Sequence, residues 1–331
     1  MPWYYKIGAL WGGQEGSLLF WCWILTLFSM VTVLVHRNRN PRLMPYVVGV
    51  VAMVTTFFLL VNNFVSNPFD AIGVSRAGEP PVPFSPPDGQ GLNPLLQYWA
   101  MVIHPPILYI GYVGFTIPFA FAIAALVTRE LDDEWIRTTR RWMMIPWLFL
   151  GTGVLLGAMW AYVVLGWGGY WAWDPVETGS LLPWLALLLV IHVRAQSGSK
   201  AVAASPAVAI IAGALAFHAT MVTRANGVWA SVHAFVADGE GTLSEDPYLR
   251  VLEIADWNPV GIEVTSYLIV MVAMFCFAIM HLLREQKAAV SSAGGKTMLE
   301  ENPAMSRLLI LLFLIIAVWS GSSAVLSVGL A

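Results

Sequence analysis

An all-α, polytopic integral membrane bundle of about eight transmembrane helices is the fold class this sequence predicts, and three observations predict it. Of the 331 residues, 58% are hydrophobic and 11% charged, where a soluble domain carries about 25% charged residues. Mean hydropathy is +0.70. The basic residues gather in alternate connections between apolar runs, as the positive-inside rule requires of a multi-pass chain.

A helix needs about 20 apolar residues to cross the hydrocarbon core. Eight stretches meet or approach that length: 17–35, 45–65, 107–127, 142–163, 179–195, 205–223, 262–283 and 307–328. The fifth is the shortest. One set of connections holds Arg37, Arg39 and Arg42, then Arg129, Arg137, Arg140 and Arg141, then Arg194 and Lys200, then Arg284, Lys287, Lys296 and Arg307, which is 13 of the 17 basic residues. The other set holds Lys6, Arg76, Arg224 and Arg250. This asymmetry places both chain ends outside. The first apolar run is too long for a cleavable signal peptide and is followed by basic residues, so none is expected. The expectation is one transmembrane domain over 1–331 in the cytoplasmic membrane, with outer loops at 66–106, 164–178 and 224–261.

Charge and cysteine content exclude other classes. A net charge of −3 argues against a nucleic-acid partner. Cys22 and Cys276 lie in apolar runs, far apart, and no C-x-x-C-H occurs. The chain therefore offers no redox thiol pair of that kind, no expected disulfide and no site for attaching a c-type haem to itself.

The outer loops carry the chemistry. Residues 66–106 centre on "EPPVPFSPPDGQGLNP", which reads as an ordered, non-helical connection. Residues 165–185 read "LGWGGYWAWDPVETGSLLPWL", with Trp167, Trp171 and Trp173 within seven residues. One reading is an interfacial aromatic belt, with Asp174, Pro175 and Glu177 forming the N-cap, first position and capping-box residue of the fifth helix. The other is a platform for a flat apolar ligand, in which Gly166, Gly168 and Gly169 let the backbone approach and the indoles present their faces. A porphyrin is such a ligand, and histidine is the commonest protein donor to its iron.

Six histidines are available. His36 and His281 sit at inner helix ends beside arginines and read as solvated helix-end residues. His104, followed by Pro105 and Pro106 opening the third helix, and His233 both lie in outer segments flanking the tryptophan loop, a placement that suits a bis-histidine iron site. His192 falls about 20 Å below the outer start of the fifth span at 1.5 Å per residue, and an ionisable side chain at that depth is a functional candidate by default. His218, inside the sixth span, reads as a buried imidazole bonded to a carbonyl.

These motifs resemble a known family. The run from Trp167 to Asp174 resembles the WWD signature of haem-handling membrane proteins in cytochrome c maturation, and its continuation "WDPVETGSLLPWL" is similar to the CcmF branch, which includes nitrite-reductase assembly homologues. "LWGGQEGSLLFW" (10–21), "NPLLQYWAMVIHPPILYIGYVGF" (93–115) and "SVHAF" (231–235) extend the likeness over most of the chain. The resemblance implies that Trp167, Gly168, Trp171, Trp173 and Asp174 hold a transient haem delivered by a periplasmic haem chaperone (CcmE-like), with His104 and His233 as its axial ligands. It implies a second, non-covalent b-type haem on His192, which reduces the first. The haem is then presented to apocytochrome c and its thiol-reducing and holding subunits (CcmH-like), making the chain a candidate component of a haem lyase. The family's sequences carry further helices before "LWGGQEGS" and a C-terminal half with the other b-haem ligand. A split or shortened member is therefore expected, with a second CcmF-like subunit supplying that half, or His218 supplying the ligand. "TRANGVWASVH" is one residue longer than the family pattern, and 236–260 is an expanded outer segment. Outer arginines Arg76 and Arg224 are candidate partners of haem propionates, or ordinary loop charges. The competing readings are a multi-span transporter and a b-type electron-transfer membrane protein.

Overall fold

The computed structural model describes residues 1–69, 73–74, 82–83, 91–130, 133–166, 168–195, 199–224, 233 and 259–291. Among them seven helices are long and apolar enough to cross a membrane. A short helix α1 (Trp3–Gly8) and a 3-10 turn (Ala9–Trp11) lead into α2 (Gln14–His36), and α3 (Met44–Phe64) follows. α4 (Ala100–Gly114) and α5 (Thr116–Thr128) run on as one span of 29 residues. α6 (Asp133–Val164), α7 (Pro175–Ala195), α8 (Ser199–Arg224) and α9 (Pro259–Ser291) complete the bundle. The only described strand pairing is a two-residue antiparallel contact, β1 (Gly73–Val74) with β2 (Val82–Pro83), in the proline-rich connection. The eighth stretch, 307–328, lies outside the described residues.

Several helices extend beyond the apolar stretches of the sequence reading. The third span begins at Ala100, about two helical turns before 107, so Pro105 and Pro106 lie inside α4 instead of opening it. The Met101 carbonyl that Pro105 leaves without its intrahelical donor is taken up by the Trp11 indole at 2.8 Å. α6 begins at Asp133 and carries the basic 137–141 run as helix. Apolar length marks the membrane-embedded part of a helix and not its full extent. α7 begins at Pro175, where the cap signals place it.

Small residues set the packing. α8 is the most enclosed span. It presents Ala207, Ala209, Ala212, Ala214 and Ala216 to its neighbours, all buried. A Cβ on Gly179 of α7 would sit 3.5 Å from the Ala219 Cα of α8. Between α4 and α6 the approach is closer: a Cβ on Gly111 would lie 2.6 Å from the Leu150 backbone nitrogen, and one on Gly153 2.6 Å from the Leu108 side chain. With lipid as apolar as leucine, close backbone contact through small residues is the main source of helix association.

At the arginine-rich end His36 is buried, against the expectation of a solvated residue. Its Nε2 accepts from the Trp142 indole at 2.8 Å and its Nδ1 lies 3.2 Å from Asn40 Oδ1. The two bonds fix one neutral tautomer, since an indole only donates. Cys22 is buried, Cys276 exposed, and neither is in a disulfide.

Candidate functional site

The Gln14 end of α2, the N-terminal halves of α4 and α7 and the C-terminal ends of α6 and α8 converge on a cavity of about 300 Å³ with mainly apolar walls. His104, Trp160, Trp171, Glu177, Arg224 and His233 all border it.

His104 is buried. Its Nδ1 donates to the Gly153 carbonyl at 2.8 Å, and its ring meets Trp160 edge-on at 5.8 Å. A proton held on Nδ1 leaves Nε2 with the lone pair, the arrangement of metal-ligating histidines. Gly157 makes the position possible: a Cβ there would fall 2.5 Å from His104 Cε1. Pro105 has no N–H for the Met101 carbonyl, and Trp11 supplies the missing donor, its Nε1 lying 2.8 Å from that oxygen. The 10–21 and 93–115 motifs are therefore joined by one hydrogen bond. Sequence reading missed Trp11, Gly157 and Trp160. The orphan carbonyl before a Pro-Pro pair and a glycine one helix turn from Gly153 are the only signals it offered.

The tryptophan loop both caps α7 and borders the cavity. Asp174 Oδ1 accepts from the Val176 backbone N–H at 2.7 Å and caps α7. Glu177 Oε2 reaches back to the Ala172 N–H at 2.9 Å. Asp174 Oδ1 also lies 3.3 Å from His233 Nδ1, an electrostatic contact that ties the second flanking histidine to the cap. Trp171 borders the cavity, whereas Trp173 meets it edge-on at 6.1 Å and is 68% exposed. Trp167 lies outside the described residues. Gly166 and Gly168 have φ of +72° and +77° with open space where a Cβ would be. Their need for glycine comes from the left-handed backbone, not from a crowded approach. Trp173, also left-handed at φ +59°, carries strain of about 1–2 kcal/mol at a non-glycine residue.

Arg224 is not an ordinary loop charge. It is buried. Its Nη1 donates to the Gln14 carbonyl at 3.0 Å and its Nη2 to Ser17 Oγ at 3.2 Å, while Nε stands 3.9 Å from Glu263 Oε1. Glu263 Oε2 accepts from Gln14 Nε2 and from Ser66 Oγ, each at 3.1 Å. Four helix ends are stitched together here. Glu263, an acid in the first turns of an otherwise apolar span, was the readable signal. Arg76 lies outside the described residues.

His192 does not border the cavity. It is exposed on α7, with Nδ1 2.8 Å from the Leu188 carbonyl. The structure thus brings His104 and His233 to one cavity and sets His192 apart from both. His218 is partly buried on α8 and does not border the cavity either.

Comparison with known proteins follows the same residues. The family model described as cytochrome C assembly protein matches residues 11–227. The chain is 45% identical over 242 residues to a cytochrome c-type biogenesis protein CcmF of Pseudomonas aeruginosa, covering 72% of this chain and 35% of that protein. It is 41% identical over 240 residues to the CcmF of Escherichia coli, covering 72% and 36%. To the biogenesis protein NrfE of Haemophilus influenzae it is 36% identical over 240 residues, covering 72% and 36%. The chain thus spans about a third of the length of these relatives. A solved structure titled cytochrome c heme lyase CcmF shares the fold, with a TM-score of 0.54 at 23% identity over 99% of this chain and 48% of that one. The matched region runs from the Trp11 that supports His104, through the tryptophan loop, to just past Arg224, so every wall of the cavity but His233 falls inside it: the chain belongs to the cytochrome c assembly protein family.

Proposed function

We propose that this chain is a haem-handling membrane subunit of cytochrome c maturation, forming one functional domain over its length. Haem is its cargo, held in the cavity between His104 and His233 and presented for covalent attachment to apocytochrome c. The observation that carries this reading is that His104 and His233 border the same apolar cavity while each engages Nδ1 elsewhere, with Gly153 O and with Asp174. The Gly153 bond sets His104 to offer Nε2, and the Asp174 contact holds His233 beside the same cavity. The walls fit a flat apolar ligand: Trp160 and Trp171 line it beside leucine, valine and alanine, and aromatic faces pack on extended π-systems. The cavity end faces the outer side of the cytoplasmic membrane, where a periplasmic haem chaperone delivers the cargo and the thiol-handling subunits bring the apocytochrome. The relatives named for cytochrome c-type biogenesis support this assignment.

His192 belongs to a different site in this reading. It ligates a non-covalent b-type haem at the outer surface of α7, and a second CcmF-like subunit supplies the other ligand. This chain's contribution there is to hold the imidazole through the Leu188 carbonyl.

The test is haem content and the Soret spectrum of the purified chain, alone and with co-expressed partners, for His104→Ala, His233→Ala and His192→Ala. Loss of either cavity histidine is expected to remove or shift one haem, and loss of His192 to affect another. Wild-type spectra in all three variants would overturn the assignment, and a carrier that needs no iron would show no Soret band at all.

A further inference from the structure

We propose that Arg224 is the carboxylate-binding residue of the cavity, receiving the ionised acid group of the flat apolar ligand while Glu263 holds the guanidinium at the wall. The inference rests on the haem reading above and names the part of the ligand that the histidines and indoles leave unrecognised.

A porphyrin with ionised acid side chains cannot enter an apolar cavity without a partner for its charge, since burying an isolated carboxylate is prohibitively costly. Arg224 is the only lysine or arginine among the described residues that border the cavity. It is also buried, with the rest of the chain excluding water around it. A guanidinium carries five N–H donors in a planar fork suited to carboxylates. Two hydrogen bonds engage it, to Gln14 O and Ser17 Oγ.

The pairing with Glu263 is the second observation. A buried Arg–Glu pair stabilises a fold only when its geometry is good, because desolvating two charges is expensive. Here the closest approach is 3.9 Å, and both Arg224 Nε and Glu263 Oε1 are buried without a hydrogen-bond partner. Glu263 meanwhile takes two hydrogen bonds on its other oxygen, from Gln14 and Ser66. The acid is therefore supported independently of the arginine, and the arginine is positioned but not saturated. An arrangement built only to clamp four helix ends would close that gap. One built to bind an anion keeps donor capacity beside the cavity and uses the acid as a counter-charge that prevents Arg224 from standing unpaired when no ligand is present. The two roles make opposite predictions for Glu263: removing its charge weakens a clamp but strengthens an anion site.

The experiment compares iron protoporphyrin with its dimethyl ester, which keeps the ring and the metal and lacks the acids, on the full chain in lipid nanodiscs. Wild type is expected to prefer the diacid by roughly tenfold or more, the scale of one charge-assisted hydrogen bond. Arg224→Gln is expected to bind the ester as before and to lose the preference, so that ester binding shows an intact cavity. Glu263→Gln is expected to keep or raise the preference. Equal binding of diacid and ester to wild type, or an unchanged preference in Arg224→Gln, overturns the proposal. If Arg224→Gln binds neither porphyrin, Glu263→Gln decides: a fall in diacid preference overturns the proposal and a rise supports it. Failure of the haem reading itself looks different, because then neither porphyrin binds wild type through His104.

Discussion

A single missing methyl group decides whether His104 reaches the cavity. Gly157 packs so closely on the imidazole that a Cβ would lie 2.5 Å from Cε1, and the ring is boxed in by Trp160 and by its bond to Gly153. Gly157→Ala should therefore push the imidazole off its position. The helix itself gains from the change, since alanine is favoured over glycine by about 0.5–1 kcal/mol in a helix interior. The expected outcome is a well-expressed protein whose Soret spectrum matches that of His104→Ala, measured on both variants side by side. Trp173 offers the converse case. It is exposed and held in the left-handed region, so Trp173→Gly should not lower the thermal midpoint, because relief of about 1–2 kcal/mol of backbone strain offsets the little packing lost. A weaker haem signal with unchanged stability marks its indole as serving the ligand. A clear fall in the midpoint shows that the indole packs for structure after all.

Between elements, the exchange of a backbone donor for an indole links the 3-10 turn before α2 to α4. Pro105 removes the N–H that would bond the Met101 carbonyl, and Trp11 replaces it. Trp11→Phe should leave a buried carbonyl unsatisfied and cost about 1–3 kcal/mol. Pro105→Ala restores the intrahelical donor, so the double variant should recover part of that loss, with an interaction energy of about 1 kcal/mol in a double-variant cycle. Thermal or denaturant unfolding of the four proteins measures it, and strict additivity would show that the bond is incidental. The same logic holds at the other end of the bundle. His36 is neutral there because Trp142 donates to it, and Trp142→Phe should destabilise by a comparable amount while leaving the haem spectrum unchanged, since that pair is remote from the cavity walls.

Across the whole molecule, two kinds of histidine sit in different surroundings. His104 and His233 face an internal cavity, and His192 faces outward from a membrane-spanning helix. An exposed imidazole on such a helix is costly in lipid unless another protein covers it. Co-expression with a subunit corresponding to the remaining length of the relatives should therefore yield a haem that depends on His192 and is absent from the chain purified alone. A His192-dependent haem in the isolated chain would place its second ligand within these residues instead.

The bundle was legible in the chain's local signals. Apolar length, basic asymmetry and the Asp174-Pro175 cap are such signals, and lipid allows few alternatives to helices once such lengths are reached. The sequence also singled out His104, His233 and the tryptophan loop, because histidines and indoles in outer segments stand out against an apolar chain. Which of these residues meet depends on how the helices pack. Packing separated Trp171 from Trp173, drew His36 and Arg224 into the interior, and put Gly157, Trp11 and Glu263 beside residues 53, 90 and 39 positions away in the chain. The physical reason is that helix packing through small residues fixes rotation and depth together, and no single helix carries in its own periodicity the identity of the neighbour it will touch.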